Sequence, residues 1–455
     1  MIRSKYAFVA AAFATLAAVY SHGISAAQDR PPATGPEPEA AKAAAEEIIK
    51  KGEVLTLERC VAVALQRQPN IVAAMNTVEV NRSRVGQAKA NYYPQVSVSS
   101  GYSRISPVTS SSARSSGAGN GGVYDQYTAS AVLSQNLYDF GKTSAQAEIQ
   151  KLNTTASQSD FETTTEQTVF NVRQAYYTLL QATRNRNVAE ETVKQFEKHL
   201  EQAKGFYEVG TKPKFDVTKA EVDLSNAKLN LIKAENAISL AKVNLNNAMG
   251  VPNAPEYAVE DNLAFRKHDL TFNDAVTRAF ANRPDIQAIA TRRKAAEENI
   301  ALARKNYYPA LTGNAAYNYS GSRFPLQDSW NVGATLTFPL FSGFLTKYQV
   351  EEAKSNLKVL TANEELTKQN AVLDVQQAYL SLREAEDRIA TADLTVRQST
   401  ENLDIVNGRY AAGVGSPIEV TDAQVAYSNA KLAYIQALSD YNIAWASLVR
   451  AMGER

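Results

Sequence analysis

The four residues Asn91-Tyr92-Tyr93-Pro94 recur as Asn306-Tyr307-Tyr308-Pro309, and each copy stands where a helical pattern changes to an alternating one. Proline suits such a junction because it disfavours helix in the residue before it and cannot continue the helical hydrogen-bond ladder. It is nevertheless tolerated at the first residue of a strand. The sequence therefore predicts two helix-to-strand junctions of the same kind.

These two junctions belong to a tandem repeat that covers most of the chain. Residues from Leu55 to Pro94 recur 215 positions later, whereas those from Leu133 to Gly250 recur 203 positions later. The shorter spacing indicates an insertion of 12 residues before Leu133, where the Ser/Gly-rich stretch 110–122 predicts an enlarged loop. The predicted organisation is a first half-repeat at 55–250, a linker at 251–269 and a second half-repeat at 270–453.

The N-terminal residues carry the features of an export signal. Arg3 and Lys5 precede an apolar stretch that ends in a small-residue cleavage site before Gln28. We therefore expect residues 1–27 to be a signal peptide, and the residues 28–54, rich in Pro, Ala and Glu, to be a flexible tether. After the signal, the sequence has no run of 18 or more apolar residues that would predict a transmembrane helix.

Composition excludes several classes of function. The 455 residues carry 48 basic and 47 acidic side chains, so the chain lacks the positive charge of a nucleic-acid-binding protein. Cys60, the single cysteine, lies in an apolar periodic stretch that predicts a buried thiol. His199 and His268 lack a second ligand at metal-binding spacing, and we interpret them as solvated residues. Without a nucleophile–base arrangement or a phosphate-binding loop, the sequence predicts neither an enzyme nor a cofactor site.

Four alternating segments predict strands with one apolar and one polar face. In the last of them, Trp330 and Val332 share one face, and Asn331 and Gly333 share the other. Each segment has about ten residues, the length that a tilted strand needs to cross a bilayer. Four strands cannot close a barrel, so we expect two or three copies of the chain to contribute eight or twelve strands, and the polar wall favours twelve. The predicted strands are 95–104, 126–138, 310–320 and 329–341.

Two very long helical segments follow the second and fourth strands, at Lys142–Tyr207 and Thr346–Tyr410. At about 1.5 Å per residue each would extend roughly 100 Å, which is too long for one globular core. Each ends at a Gly-containing turn and is followed by a returning helix. The mixed Ala, Asn, Gln and Ser faces of these antiparallel hairpins predict a helical wall with one wet side. The predicted fold is thus mainly α, with a membrane β-barrel portion.

Together these features resemble the TolC family of outer-membrane efflux and secretion channels. The resemblance extends from Thr56 to Gly453 and rests on the repeat, the proline junctions, and the Tyr-x-x-Gly turns at Tyr207–Gly210 and Tyr410–Gly413. It implies a homotrimer in which a twelve-stranded barrel in the outer membrane continues into an α-helical barrel across the periplasm. It also implies docking to a periplasmic adaptor (membrane fusion) protein and to an inner-membrane transporter of the RND, ABC or MFS class.

The resemblance further implies that the helical turns form the periplasmic entrance of the channel. Three copies of each entrance carboxylate would form acidic rings that favour cations. Gly415 stands where family members often carry an arginine that helps to latch the entrance. The matching gate residues are Asp422, Glu419, Asp216 and Tyr410, and the matching adaptor-docking residues are Gly210, Thr211, Gly413 and Val414.

Simpler structural roles compete with these assignments. Ser416-Pro417-Ile418-Glu419 matches a capping box, which by itself would explain Glu419. Asp216 would also favour a helix N-terminus electrostatically. Asp422 has no capping role and is the stronger gate candidate. Any strand favours aromatic side chains, but three of them match a membrane-interface belt, namely Trp330, Tyr317 and Tyr319.

Two functions remain in competition at this point. The first is a passive, trimeric exit duct of a tripartite efflux pump or type I secretion system, opened by its adaptor and transporter. It would lie in outer-membrane lipid, with its helical tunnel in the periplasm. The second is a periplasmic coiled-coil scaffold without channel activity. The strand alternation favours the duct and leaves the cargo open among drugs, metal ions, other small molecules and proteins.

Overall fold

A computed structural model describes residues 49–106 and 123–454 of the chain. The expected signal peptide, most of the expected tether and the expected enlarged loop at 110–122 lie outside the described residues. In chain order the elements are β1 (Val54–Leu55), α1 (Leu57–Arg67), α2 (Pro69–Lys89), β2 (Gln95–Ile105), β3 (Tyr124–Tyr138), α3 (Lys142–Glu208), α4 (Lys214–Met249), β4 (Ala258–Val259), α5 (Phe272–Asn282), α6 (Pro284–Arg304), β5 (Ala310–Gly321), β6 (Gln327–Thr337), α7 (Leu345–Ala411) and α8 (Pro417–Ala451).

The chain divides into two compact units. The smaller unit contains the described part of Met1–Thr56 together with Val251–Glu260, and its strands β1 and β4 pair in parallel. The amide of Gly52 donates to the carbonyl of Glu256 at 2.8 Å, which adds to this pairing. The larger unit holds all the other elements named above.

The larger unit contains one antiparallel sheet with the strand order β2-β3-β5-β6. Each Asn-Tyr-Tyr-Pro copy stands immediately before a strand, and its first two residues belong to a short 3-10 turn, Ala90–Tyr92 or Lys305–Tyr307. Strand ends lie within two residues of the predicted ones, except that β6 ends at Thr337 rather than at residue 341. Thr337 pairs with Ala310, the first residue of β5, so β6 has no partner beyond this point. Pro339 also lacks the amide hydrogen that a longer ladder needs.

The strand register separates apolar from polar side chains. Neighbouring residues of a strand point to opposite faces, so each row of paired residues belongs to one face. Trp330 and Val332 on the apolar face are 71% and 73% exposed in the single chain. The sheet therefore has one face suited to lipid and one suited to water. A representative apolar row is Val96, Leu133, Ala315 and Val332, and a polar row is Ser99, Ser130, Asn318 and Ser329.

The helices keep the lateral order of the strands to which they connect. Helix α2 leads into β2, α3 follows β3, α6 leads into β5, and α7 follows β6. In the same order, α2 packs on α3, α3 on α6, and α6 on α7. Toward the helical turns, α4 and α8 return along α3 and α7, and α8 packs on α3, which gives the order α4-α3-α8-α7. One edge of this unit thus consists of β2, α2 and α4, and the other of β6 and α7.

The two longest helices begin and end within one residue of the predicted positions. Many of the buried positions of α3 are Ala, Ser or Thr, and small side chains let neighbouring helices approach closely. Cys60 is buried in α1, which confirms the prediction for this thiol. Within the described ranges, no helix combines the length and the apolar character required to cross a membrane.

Each half-repeat ends at a glycine that packs against backbone atoms of the same half. Gly250 and Gly453 both adopt positive φ at the end of a returning helix. A Cβ atom would lie 2.8 Å from the carbonyl oxygen of Arg67 at Gly250, and 2.7 Å from the backbone nitrogen of Arg283 at Gly453. The guanidinium of Arg283 also donates to Asp374 on α7 at 3.0 Å. These contacts join the first and last helices of each half.

Candidate gate at the helical turns

The α3–α4 and α7–α8 turns have the same backbone geometry. Gly210 and Gly413 adopt φ of +75° and +82°, in the left-handed region that favours glycine. The next amides, of Thr211 and Val414, donate to the carbonyl five residues earlier at 3.0 and 3.1 Å. All four residues are exposed. Both turns therefore present the same kind of short surface at the end of their helices.

Tyr410 lies buried directly behind these turns. It is 1% exposed, and its ring meets the ring of Phe206 edge-on, with centroids 5.6 Å apart. The hydroxyl of Tyr410 has no hydrogen-bond partner among the described residues, so it makes no hydrogen bond to Asp216, the other buried residue expected at the gate. Asp216 is buried in the first turn of α4. Burial, together with the charge of Asp216, raises the pKa of Tyr410.

The prediction of a solvated His199 is wrong, because the structure buries this residue against Tyr410. The side chain is 3% exposed, and the two ring centroids lie 4.9 Å apart. Burial lowers the pKa of His199, and the carboxylates of Asp223 and Asp216 offset this effect only in part. A three- and four-residue spacing of apolar neighbours is the signal that would have placed His199 inside. The buried positions on this part of α3 are Val193, Phe196, His199 and Ala203.

The two acids expected at the gate, Glu419 and Asp422, are exposed near the start of α8. Ser416 caps this helix, because its hydroxyl accepts from the amide of Ile418 at 3.2 Å. The carboxylate of Glu419 lies 3.5 Å from the guanidinium of Arg409. Both carboxylates are therefore accessible to solvent in a single chain. Within the described residues, no group of three or more His, Cys, Asp or Glu side chains could hold a metal ion.

Two polar contacts that the sequence does not reveal join the two helical hairpins. The ammonium group of Lys212 donates to the carbonyl of Gly415 at 3.2 Å. The carboxylate of Asp223 accepts from the hydroxyl of Thr421 at 2.8 Å and pairs with Lys219 at 2.5 Å. Each contact between the hairpins brings together residues about 200 positions apart in the chain, so no local pattern could have indicated it.

Gly415 is required by a close approach of the backbone. A Cβ atom at this position would lie 2.8 Å from the backbone nitrogen of Tyr410. An arginine could not be accommodated here unless the turn moved. The basic group that contacts this turn comes instead from Lys212, on the neighbouring turn.

The aromatic residues expected at a membrane interface lie together at the end of the sheet that is farther from the helices. Tyr317 pairs with Trp330 across β5 and β6, and its ring centroid lies 5.2 Å from that of Tyr319. In the first half, Tyr102 is equivalent to Tyr317, and its place in this aromatic group was not predicted. The corresponding hydrogen bonds are Tyr317–Asp328 at 2.9 Å and Tyr102–Asp125 at 3.0 Å.

A sheet with one apolar and one polar face, continued by long helices that end in exposed turns, defines a channel-forming protein of a membrane. Residues 61–251 and 275–454 match the family described as outer membrane efflux protein. The chain therefore belongs to the outer membrane efflux protein family. Family members are passive outer-membrane channels, and this protein is likewise a channel and not an enzyme.

Individual relatives agree with this assignment. The chain is 25% identical over 392 residues to the probable outer membrane lipoprotein SilC of Salmonella typhimurium, covering 81% of this chain and 79% of SilC. It is 25% identical over 398 residues to the toluene efflux pump outer membrane protein TtgC of Pseudomonas putida, covering 84% and 79%. The crystal structure of the Campylobacter jejuni outer membrane channel CmeC superposes with a TM-score of 0.76 at 19% identity, covering 87% of this chain and 85% of CmeC. The fold is thus that of TolC-like channels.

Proposed function

We propose that three copies of this chain form the exit duct of a tripartite efflux pump or type I secretion system. The four strands of each copy contribute to a twelve-stranded barrel in the outer membrane. The helices continue this barrel as a tunnel across the periplasm, which ends at the helical turns. The duct is passive, and a periplasmic adaptor and an inner-membrane transporter open it.

The observation that carries this proposal is the pair of matching edges on the larger unit. Among the described residues, β2 and β6 each have a free edge, whose backbone groups would remain unpaired in lipid at a cost of several kcal/mol each. A second copy can continue the sheet and the helices at the same time, because both layers keep one lateral order. Three copies supply twelve strands, and the polar face of each sheet then lines a water-filled interior.

The distribution of aromatic residues supports placing the sheet in lipid. One group lies at the outer end of the sheet, around Trp330 and Tyr317, and a second lies at the junctions with the helices. About nine residues separate the two groups, or roughly 30 Å along a strand. A strand tilt of about 40° reduces this height to about 23 Å, which fits an apolar band of about 25 Å. The junction group includes Tyr93, Tyr138, Phe140 and Tyr308, and the rings of Phe140 and Tyr308 stack at 5.6 Å.

We place the gate at the helical turns, with the exposed turn residues as the surface on which the adaptor docks. Burial of Tyr410 behind the turns and the contact from Lys212 to Gly415 support a closed arrangement in this structure. The docking residues, Gly210 and Thr211 on one turn and Gly413 and Val414 on the other, are exposed and have matching backbone geometry. An adaptor could therefore contact both turns in the same way.

Disulfide cross-linking between copies tests the trimer. A cysteine replacing Ser97 on β2 is combined in turn with a cysteine at Asn331, Gly333 or Thr335 on β6, all on the polar face of the sheet. Oxidation should link neighbouring copies and give a covalent trimer on a denaturing gel for at least one pair. The same Ser97 variant combined with Asn318→Cys, on the inner strand β5, is the matched control and should stay monomeric.

Single-channel recording of the same purified protein in planar bilayers tests the duct. We expect steps of conductance from the trimer. A protein that yields only covalent dimers, or trimers that never conduct, would contradict the proposal. A protein that stays in the soluble fraction would favour the coiled-coil scaffold.

A further inference from the structure

We propose that His199 is a positioning residue that makes closure of the gate depend on pH. The neutral ring holds Tyr410 in the closed arrangement, and the protonated ring favours opening. This inference rests on the proposed gate at the helical turns. It concerns a residue to which neither the sequence nor the family assignment gives a role.

The geometry places His199 at the contact of three helices. It projects from α3, meets Tyr410 of α7 at a centroid distance of 4.9 Å, and lies near the buried acids of α4. Its Nδ1 atom is buried without a hydrogen-bond partner among the described residues, and so is the hydroxyl of Tyr410. The two rings are therefore in contact by packing, with no hydrogen bond between Nδ1 of His199 and the hydroxyl of Tyr410. Packing of this kind tolerates a neutral imidazole better than a charged one.

The charged groups around His199 do not provide a ready partner for its proton. Asp223 is already paired with Lys219 and accepts a hydrogen bond from Thr421. Asp216 is buried at the start of α4 and acts on His199 only through its charge. Lys219 adds an unfavourable positive charge. The ammonium group of Lys212 lies over the ring of Tyr410, 5.8 Å from its centroid.

The sign of the effect follows from the balance of these contributions. Burial lowers the pKa of His199 in the closed arrangement, and the two aspartates do not restore it. Opening separates the hairpins and admits water, which returns the imidazole toward its ordinary pKa of about 6.5. The open state therefore binds a proton more readily than the closed state. Acidification below about pH 6.5 consequently shifts the equilibrium toward the open state.

The test compares the full-length trimer at about pH 7.5 and about pH 5.5, on either side of the ordinary histidine pKa. Single-channel conductance and open probability are recorded in planar bilayers. In parallel, spin labels on cysteines at Thr211 and Val414 report the distance between the two turns. We expect acidification to raise the open probability about fivefold, the low end of typical coupling between sites, and to lengthen the distance between the labels.

Two variants remove the titrating group and leave the site filled. His199→Phe retains a ring to pack on Tyr410, and His199→Gln retains an uncharged polar side chain. Both should lose the pH response in conductance and in distance. His268→Phe is the matched control. His268 lies in the linker region and stacks on Trp445 of α8, with the two ring centroids 3.7 Å apart, and it has no contact with Tyr410. This control should respond to pH as the unchanged protein does.

The two readouts separate this inference from the proposed gate. If His199→Phe and His199→Gln respond to pH as the unchanged protein does, or if the unchanged protein shows no change in distance, the role of His199 is overturned. If the turns separate on acidification in a His199-dependent manner but conductance stays constant, the role of His199 stands and the location of the gate is wrong.

Discussion

Gly453 lies where the end of the second half-repeat meets the backbone of Arg283, and it adopts φ of +72°. We predict that Gly453→Ala destabilises the protein by about 1–3 kcal/mol, because a Cβ atom would meet backbone atoms and the left-handed conformation strains an alanine. The melting temperature from circular dichroism measures this loss. Gly205→Ala is the control. Among the described residues, no atom beyond the neighbouring backbone of α3 lies within 4 Å of a Cβ at Gly205, so alanine should stabilise by about 0.5–1 kcal/mol. Equal melting temperatures for the two variants would contradict the prediction.

Asp139 fixes the start of α3, directly after β3. Partial burial raises the pKa of its carboxyl group, but hydrogen bonds from Thr143, Asn136 and Gly141 outweigh that effect and hold the pKa below its ordinary value of 3.8. A lowered pKa in the folded state means that the carboxylate stabilises the protein above pH 3.8 and that this stability is lost as the pH falls through the lowered value.

We therefore predict that Asp139→Asn lowers stability by about 1–2 kcal/mol at neutral pH and that the difference from the unchanged protein shrinks as the pH falls below 3.8. Thermal unfolding followed between about pH 7 and about pH 3 checks both parts. Asp139→Ser provides a comparison, because Ser342 occupies the corresponding position of the second half. A difference from the unchanged protein that is the same at low pH as at neutral pH would refute the assigned role of the carboxylate.

The environment of some single residues could be predicted from the sequence, and that of others could not. Cys60 was predictable as buried, because apolar residues surround it at helical spacing. His199 was not assigned correctly, because a polar residue type outweighed the apolar spacing of its neighbours on α3. Gly415 could be recognised as unusual only by resemblance, and its cause is a backbone approach to Tyr410 that no local pattern encodes.

At the scale of elements, the contact between the two turns is the feature with the clearest functional test. We predict that Lys212→Ala raises the open probability of the channel roughly fivefold, because it removes the hydrogen bond to Gly415 and so destabilises the closed arrangement by about 1 kcal/mol. Single-channel recording measures the change. Lys214→Ala is the control, since Lys214 is exposed at the start of α4, two residues after Lys212. If both variants conduct alike, the contact does not hold the gate.

The elements themselves were largely predictable. Proline at the Asn-Tyr-Tyr-Pro junctions and the alternation after it gave the starts of β2 and β5, and the helical period gave the bounds of α3 and α7. The end of β6 was not predictable from its apolar alternation, because strand length also depends on where the partner strand begins. Contacts between helices from different halves, such as Asp223 with Thr421, depend on packing across about 200 residues of chain.

At the scale of the whole molecule, the acids that we propose for the gate would act only through assembly. One copy presents Glu419 and Asp422 to solvent, and three copies would bring six carboxylates around the entrance. We predict that Glu419→Gln with Asp422→Asn lowers the preference for cations and removes block by divalent cations, because the rings lose their charge. Reversal potentials in a salt gradient measure the preference. Asp269→Asn removes an acid whose side chain is 92% exposed in the linker region, and it should leave selectivity unchanged. An unchanged reversal potential in the double variant would place the selective rings elsewhere.

The shared lateral order of strands and helices has a consequence for the response of the channel to its surroundings. The returning helices α4 and α8 begin at the turns and do not connect directly to any strand of the four-stranded sheet. We therefore expect opening at the proposed gate to exchange contacts among α3, α4, α7 and α8 and to leave the pairing of β2, β3, β5 and β6 unchanged. We therefore expect the free energy of opening to be independent of the acyl-chain length of the lipid around the sheet, so that the same gate would work in bilayers of different thickness.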